Sequence, residues 1–265
     1  MHNRRKVIDT AVIKVGSDGL TTSDDHLDTQ AVASIALQLA VVRKMIARLG
    51  LVSSGAATTG RDLYGMSKQP DEDLATLQMY ASAGQPMLFA EYLKSLQKHG
   101  CIANQILVTH SDMDSRLRRR NLNRTLHRIF ASEKPGIPIF NENDTVAVRE
   151  FKSDNDYLAG DVARLIHAKR VLFLTSVPGI LEDLDDAESL IREIPFGSTE
   201  HRQFLHDSSS RNGTGGMRSK DRVAANLARF GIESVIAAAD EPDVIPRVLI
   251  DNEPVGTRYH AAVYA

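Results

Sequence analysis

One cysteine in 265 residues is too few for a disulfide framework or a cysteine-rich metal site. That residue, Cys101, opens the apolar run 101–108, which points to a buried thiol. Charge of neither sign prevails. The 32 Lys and Arg stand against 34 Asp and Glu, a formal net charge of -2, so nothing global draws the chain to nucleic acid or an anionic membrane. No apolar run approaches the ~20 residues that cross a bilayer. The polar, basic stretch Met1 to Lys6 is not followed by an apolar core of signal-peptide length. Together these absences predict a soluble, cytoplasmic chain. The nine histidines show no spacing such as His-Glu-x-x-His, so no zinc held by protein ligands is expected.

What is present alternates. Apolar stretches of strand length at 7–15, 49–52, 102–108, 137–140, 171–175 and 234–238 are interleaved with helix-like stretches at 29–45, 71–99, 121–132, 154–167 and 215–230. In the first helix Ile35, Leu39, Val42 and Ile46 recur on one side. Gly84-Gln85-Pro86 predicts a break within 71–99, because proline removes a helical hydrogen bond. Such alternation predicts an α/β fold, a mainly parallel sheet covered by helices on both faces, in one unit with two lobes. The Ser-, Gly- and Asn-rich stretch 204–216 reads as a mobile loop.

The densest chemistry lies in Ile139-Phe140-Asn141-Glu142-Asn143-Asp144-Thr145-Val146-Ala147. Amides and carboxylates compete for backbone hydrogen bonds, so this cluster predicts the end of a strand at Phe140. It also predicts a grip on a small polar molecule, since α/β folds place ligands at strand ends. Ser153-Asp154-Asn155-Asp156-Tyr157 repeats that chemistry before a helix, so two polar loops can close on one site.

Three further motifs read as anion sites. Val12-Ile13-Lys14-Val15-Gly16-Ser17 puts a lysine in an apolar strand, expensive unless the ammonium finds a partner, and a glycine where backbone can approach a ligand. Ser53-Ser54-Gly55-Ala56-Ala57 makes a small-residue turn before a helix, without the Gly-x-Ser-x-Gly spacing of a serine hydrolase. Gly213-Thr214-Gly215-Gly216-Met217-Arg218-Ser219-Lys220 sets glycines, a hydroxyl and a lysine at a helix start, although it is not a Walker A loop. Each taken alone also admits a plain reading: a strand-end lysine reaching solvent, a glycine turn, a flexible loop. The run Arg116, Arg118, Arg119, Arg120, Arg124 and Arg128 has no interleaved aromatics, which favours a solvated helix face or subunit contact over nucleic acid.

Taken in order, these motifs resemble the glutamate 5-kinases of the amino-acid kinase superfamily. The matches are Val12 to Gly16, Val52 to Ala56, Leu107-Val108-Thr109 with Asp112-Met113, Asn121-Leu122-Asn123, Ile139 to Ala147, Asp154-Asn155-Asp156, Gly213 to Lys220, and Glu253 to Thr257. The resemblance implies a three-layer α/β/α sandwich over 1–265, with the amino acid in the N-terminal half and nucleotide over about 170–265. It implies transfer of phosphate from ATP to the γ-carboxylate of L-glutamate, the first step of proline synthesis. Lys14 and Lys220 would neutralise the transferring phosphoryl group, and Asp156 would orient them. Ser54, Gly55, Asp144 and Asn155 would bind the amino acid. Thr175, Ser176, Thr214, Gly215, Gly216 and Met217 would hold ATP together with the two lysines. Mg²⁺ would be carried by the nucleotide phosphates and not by a protein cage.

The resemblance further implies a homo-oligomer, dimer or tetramer, and a short form without the C-terminal PUA domain of many relatives. The chain departs from the family on the adenosine side. Thr175-Ser176 replaces Thr-Asp, Leu181 to Asp185 replaces a Tyr-Thr-x-Asp-Pro segment, and Leu77 and Arg211-Asn212 stand at other altered positions. Two other readings follow: a paralogue acting on a glutamate-like acid, and a non-catalytic amino-acid-binding regulator on the same fold.

Overall fold

Every residue of the first strand is buried, the condition of a strand in the middle of a doubly covered sheet. The computed structural model describes residues 8–147, 155–205 and 216–263. Its strands, in chain order, are β1 (Thr10–Val15), β2 (Arg48–Ser53), β3 (Ile102–Val108), β4 (Gly136–Glu142), β5 (Arg170–Thr175), β6 (Glu193–Ile194), β7 (Glu233–Ala238) and β8 (Thr257–Tyr259). They form one sheet in the order β3-β4-β2-β1-β5-β7-β8-β6. β8 runs antiparallel to β7, and the other pairings are parallel. The helices are α1 (Thr29–Arg43), α2 (Ala56–Leu63), α3 (Leu74–Lys98), α4 (His110–Asp114), α5 (Arg116–Phe130), α6 (Asn155–Leu165), α7 (Met217–Ala228) and α8 (Val244–Leu249).

Side chains of a strand alternate between faces, and here the alternation separates two cores. Ala11, Ile13 and Val15 join residues of α1, α3 and α8 on one side. Val12, Phe140 and Phe173 join residues of α6 and α7 on the other. The result is the expected three-layer α/β/α sandwich. Each fully buried Leu, Ile or Phe contributes roughly 1.5–3 kcal/mol, enough in sum for the sheet to carry a few buried charges at its centre. Lys14 shares the parity of Val12, so strand geometry sends it toward α6 and α7.

Chain direction reverses its outward progress at β1, which lies between β2 and β5. Open α/β sheets bind ligands at such a switch point, outside the carboxyl ends of the strands. The segments following β1, β2, β4 and β5 therefore frame the site.

Three local expectations need correction. β4 does not stop at Phe140 but runs on through Asn141 and Glu142, paired with Leu107 and Val108 of β3. Pairing on a neighbouring strand outweighs the turn tendency of these residues. Helix α3 is unbroken across Gly84-Gln85-Pro86. A Cβ on Gly84 would lie 2.0 Å from the Ala56 carbonyl oxygen, and one on Gly60 would lie 1.8 Å from that of Tyr80. The glycines let α2 and α3 touch backbone to backbone, and that packing offsets the hydrogen bond lost at Pro86. Helix α5 starts at Arg116, capped by the Ser115 side chain, and not at residue 121. Its arginines are exposed, and Arg118 pairs with Asp112 at 2.6 Å.

Cys101 is buried, and burial pushes its thiol up. The expected mobile loop lies outside the described residues over 206–215; Phe204 closes a 3-10 turn, Glu200–Phe204, and Leu205 is buried. Among the described residues no helix is long and apolar enough to cross a membrane.

Candidate active site

Three charged side chains meet under the α6–α7 layer. Lys14 Nζ lies 2.8 Å from Asp156 Oδ1, and Lys220 Nζ lies 3.1 Å from Asp156 Oδ2. Ser219 Oγ also donates to Oδ2, at 2.5 Å. Asp156 is 0% exposed, Lys14 3% and Lys220 5%. Burial alone would raise the Asp156 carboxyl, but the two ammonium groups and their hydrogen bonds overcome it and hold the group below the usual carboxylate range. Among the described residues, two positive charges face this one negative charge in a low-dielectric setting. Such a centre favours an incoming anion.

Each member arrives from a different element. β1 carries Lys14 by strand parity, the first turn of α6 carries Asp156, and the first turns of α7 carry Ser219 and Lys220. Gly16 follows β1, its N–H donating to the Leu174 carbonyl at 3.3 Å. A Cβ on Gly16 would sit 3.7 Å from Lys14 Nζ, so glycine leaves the space beside the ammonium open.

A neutral polar chain runs alongside. Asn155 Nδ2 donates to Ser54 Oγ and to Asn141 Oδ1, both at 3.0 Å. Asn141 Nδ2 donates to Gln85 Oε1 at 2.7 Å, and Asn141 Oδ1 accepts the Glu142 backbone N–H at 2.9 Å. The backbone donor fixes which end of the Asn141 amide is oxygen, and that in turn fixes the Asn155 amide. Asn155 Oδ1 is left buried with no hydrogen-bond partner among the described residues. It is an acceptor waiting for a donor. Ser54 is placed by its N–H, which donates to the Val15 carbonyl at 3.1 Å, and Ser53 Oγ is hydrogen-bonded to the Tyr92 hydroxyl at 3.1 Å. Gly55 begins α2 at φ +101°, a conformation that L side chains rarely adopt.

Asp144 follows β4. Burial, and then the neighbouring charge of Glu142, push its carboxyl up to about 7. Two carboxyls at one strand end repel each other and would both be relieved by a cation. Among the described residues no group of three or more His, Cys, Asp or Glu is arranged to hold a metal ion.

The remaining predicted residues are spread differently. Gly216 caps α7 without a side-chain acceptor, and Met217 packs against the α6–α7 core. Thr214 and Gly215 lie outside the described residues. Thr175 ends β5 and, with Ser176, lines a cavity of about 560 Å³ together with Asp18, Asp240, Glu241 and Asp243. That acidic lining includes neither lysine and is a poor match to polyphosphate. Sequence reasoning assigned no individual role to Asn141 or Gln85, and took Ser219 only as part of the phosphate loop 214–220, not as a partner of Asp156. Asn141 sat in plain view in the polar cluster, whereas Gln85 was hidden in an expected helix break.

A mainly parallel sheet covered on both faces, with two lysines gathered on one carboxylate at its switch point, is an arrangement that suits a small anionic ligand. Residues 9–238 match the model of the amino acid kinase family, and the chain belongs to that family. It is similar to the curated glutamate 5-kinase of Proteus mirabilis (strain HI4320), 37% identical over 256 residues that cover 95% of this chain and 68% of that protein. It is likewise similar to the glutamate 5-kinase of Anaeromyxobacter dehalogenans (strain 2CP-C), 37% identical over 93% of this chain and 65% of that protein. The glutamate 5-kinase of Thermus thermophilus is 34% identical over 94% of this chain and 67% of its own length. The chain thus spans about two thirds of the length of these curated relatives.

Proposed function

We propose that this chain transfers the γ-phosphoryl group of ATP to the γ-carboxylate of L-glutamate, forming an acyl phosphate and ADP. The observation that carries the reading is the pair of buried lysines on opposite oxygens of Asp156. Phosphoryl transfer demands little covalent help from protein; positioning and charge stabilisation supply most of the rate. A carboxylate acceptor is ionised at neutral pH and needs no general base. A carboxylate oxygen would attack the γ-phosphorus as the bond to the β,γ-bridging oxygen breaks. Lys14 and Lys220 would sit beside the phosphoryl oxygens where negative charge accumulates, and Asp156 would hold both ammonium groups in place.

The amino-acid end follows from the neutral chain. The orphaned Asn155 Oδ1 and the crowded carboxyls of Asp144 and Glu142 suit an α-ammonium, which offers hydrogen bonds and positive charge together. Ser54 and the backbone at Gly55 would face the carboxylate end. Nucleotide would then lie over the C-terminal half, about 170–265, with its phosphates at the start of α7, where Gly216 leaves the helix without a side-chain cap. Mg²⁺ would travel with those phosphates and neutralise them, because a small hard cation sheds its waters reluctantly. A role in proline synthesis, a cytoplasmic location and a homo-oligomeric state belong to the same proposal.

Incubation with ATP, Mg²⁺, L-glutamate and hydroxylamine tests it. Glutamyl hydroxamate should accumulate with stoichiometric ADP. Absence of both across a panel of amino and carboxylic acids would overturn the catalytic reading in favour of a ligand-binding regulator.

A further inference from the structure

Beside Lys220 stands a second buried charge that phosphoryl transfer does not use. Asp221 is 5% exposed, and its Oδ1 lies 2.6 Å from His201 Nε2. The same oxygen accepts the Tyr259 hydroxyl at 3.1 Å, while Oδ2 lies 3.2 Å from Arg202 Nε. His201 is itself buried and meets the Tyr259 ring edge-on, with centroids 5.5 Å apart. Burial and the Asp221 charge push the Tyr259 phenol up, so it remains a donor. His201 Nδ1 is buried without a hydrogen-bond partner among the described residues. With Nδ1 lacking such a partner, Nε2 is the ring nitrogen that donates to the Asp221 carboxylate.

The network ties α7 from a second direction. Successive helix residues point ~100° apart. Ser219 and Lys220 reach Asp156 on α6, whereas Asp221 reaches the turn Glu200–Phe204 and strand β8. Apolar packing of Val223, Ala224 and Leu227 seats α7 against the sheet, and Asp221 adds a directional tie one residue from Lys220 that resists rotation of the ammonium off the phosphoryl position. Well-packed apolar residues usually stabilise as much as a buried ion pair does. What a directional network adds is orientation.

We propose that His201, Asp221 and Tyr259 are positioning residues for nucleotide: they fix the rotation of α7 and thereby present Lys220 to the phosphates of ATP. The proposal rests on the phosphotransfer reading of Lys220. Their effect should therefore fall on ATP and not on the amino-acid acceptor.

The test uses the full chain and two readouts, the Kd for ATP from calorimetry and the separate KM values for ATP and glutamate from the hydroxamate assay. His201→Phe keeps the ring and deletes the hydrogen bond; Asp221→Asn keeps the shape and deletes the charge. Each should weaken ATP about tenfold, the scale of one buried charge-assisted hydrogen bond. The KM for glutamate should stay within about twofold. His201→Gln, which can still donate to Asp221, should recover most of the loss, and the His201→Phe/Asp221→Asn double variant should be no worse than about one single variant. Folded variants with unchanged ATP affinity, or with both KM values moved together, overturn the proposal. Should the buried substitutions prevent folding, Tyr259→Phe deletes a single oxygen and is judged by the same ratio, at about threefold. A wild-type chain that binds ATP yet phosphorylates no glutamate defeats the substrate assignment. The Kd for ATP then decides the positioning role by itself.

Discussion

Lys14 and Lys220 hold opposite oxygens of a single carboxylate, that of Asp156, at 2.8 and 3.1 Å. Neither lysine makes sense buried without it, and the carboxylate makes no sense buried without them. Asp156→Asn should therefore remove the negative charge that both buried ammonium groups face and lower stability by about 3–5 kcal/mol. Chemical denaturation reads that change, and an unaltered midpoint would refute the charge-centre description.

Lys220→Ala should leave the fold standing and reduce turnover by a factor on the order of 10² to 10³, the range expected when one preorganised stabilising group is removed from the transition state. Turnover within a few-fold of wild type would show that Lys220 lies beside the reaction and not in it.

Asp144 gives a prediction with a definite sign in pH. Its carboxyl is raised from 3.8 to about 7 in the folded chain, through burial and then Glu142. The folded state thus keeps a proton that the unfolded state has already lost, and ionisation destabilises the fold increasingly between those values. Asp144→Asn should melt higher than wild type at pH 8, and the difference should vanish near pH 4. The same variant should raise the KM for glutamate at pH 8, while the wild-type KM should climb as pH falls below about 7. Melting curves with the opposite pH trend would contradict this assignment.

Asn155→Ala removes the link between Ser54 and Asn141 together with the orphaned acceptor. The KM for glutamate should rise by about tenfold or more, consistent with the loss of hydrogen bonds to a charged ligand. ATP affinity should hardly change. Comparable losses in both substrates would place Asn155 in the nucleotide half instead.

Gly84→Ala tests the helix crossing beneath the site. The added Cβ would meet the Ala56 carbonyl oxygen at 2.0 Å and the Gly60 nitrogen at 2.3 Å. Backbone atoms have no rotamer through which to give way, so the cost should reach about 3 kcal/mol, the upper part of the usual overpacking range. Gln85, the next residue, would shift with the helix, and its bond to Asn141 should weaken. A variant as stable as wild type would mean that α2 and α3 are not in backbone contact.

Much of this molecule was written locally. Strand and helix alternate in a period that neighbouring residues encode, so the layered α/β arrangement, β3 over Ile102–Val108 and the helix that begins by Asp156 were all legible. The residue types of the charge centre were legible too, because a lysine in an apolar strand demands a partner. Where reading failed, a local tendency met a distant contact. Asn141 and Glu142 look like a turn until β3 pairs with them, and Gly84-Gln85-Pro86 looks like a break until α2 lies against it.

Only the tertiary structure decided which partner each polar group would find. Strand parity and the order of strands in the sheet sent Lys14 toward α6 and α7, and helix rotation sent Lys220 to Asp156 but Asp221 to His201. Sequence periodicity reports which side of an element is buried, since that depends on neighbours a few residues away. It does not report what waits on that side. Such pairings join residues far apart in the chain, and they are set by the packing of whole elements, whose free energy is shared among many contacts and recorded in no single motif.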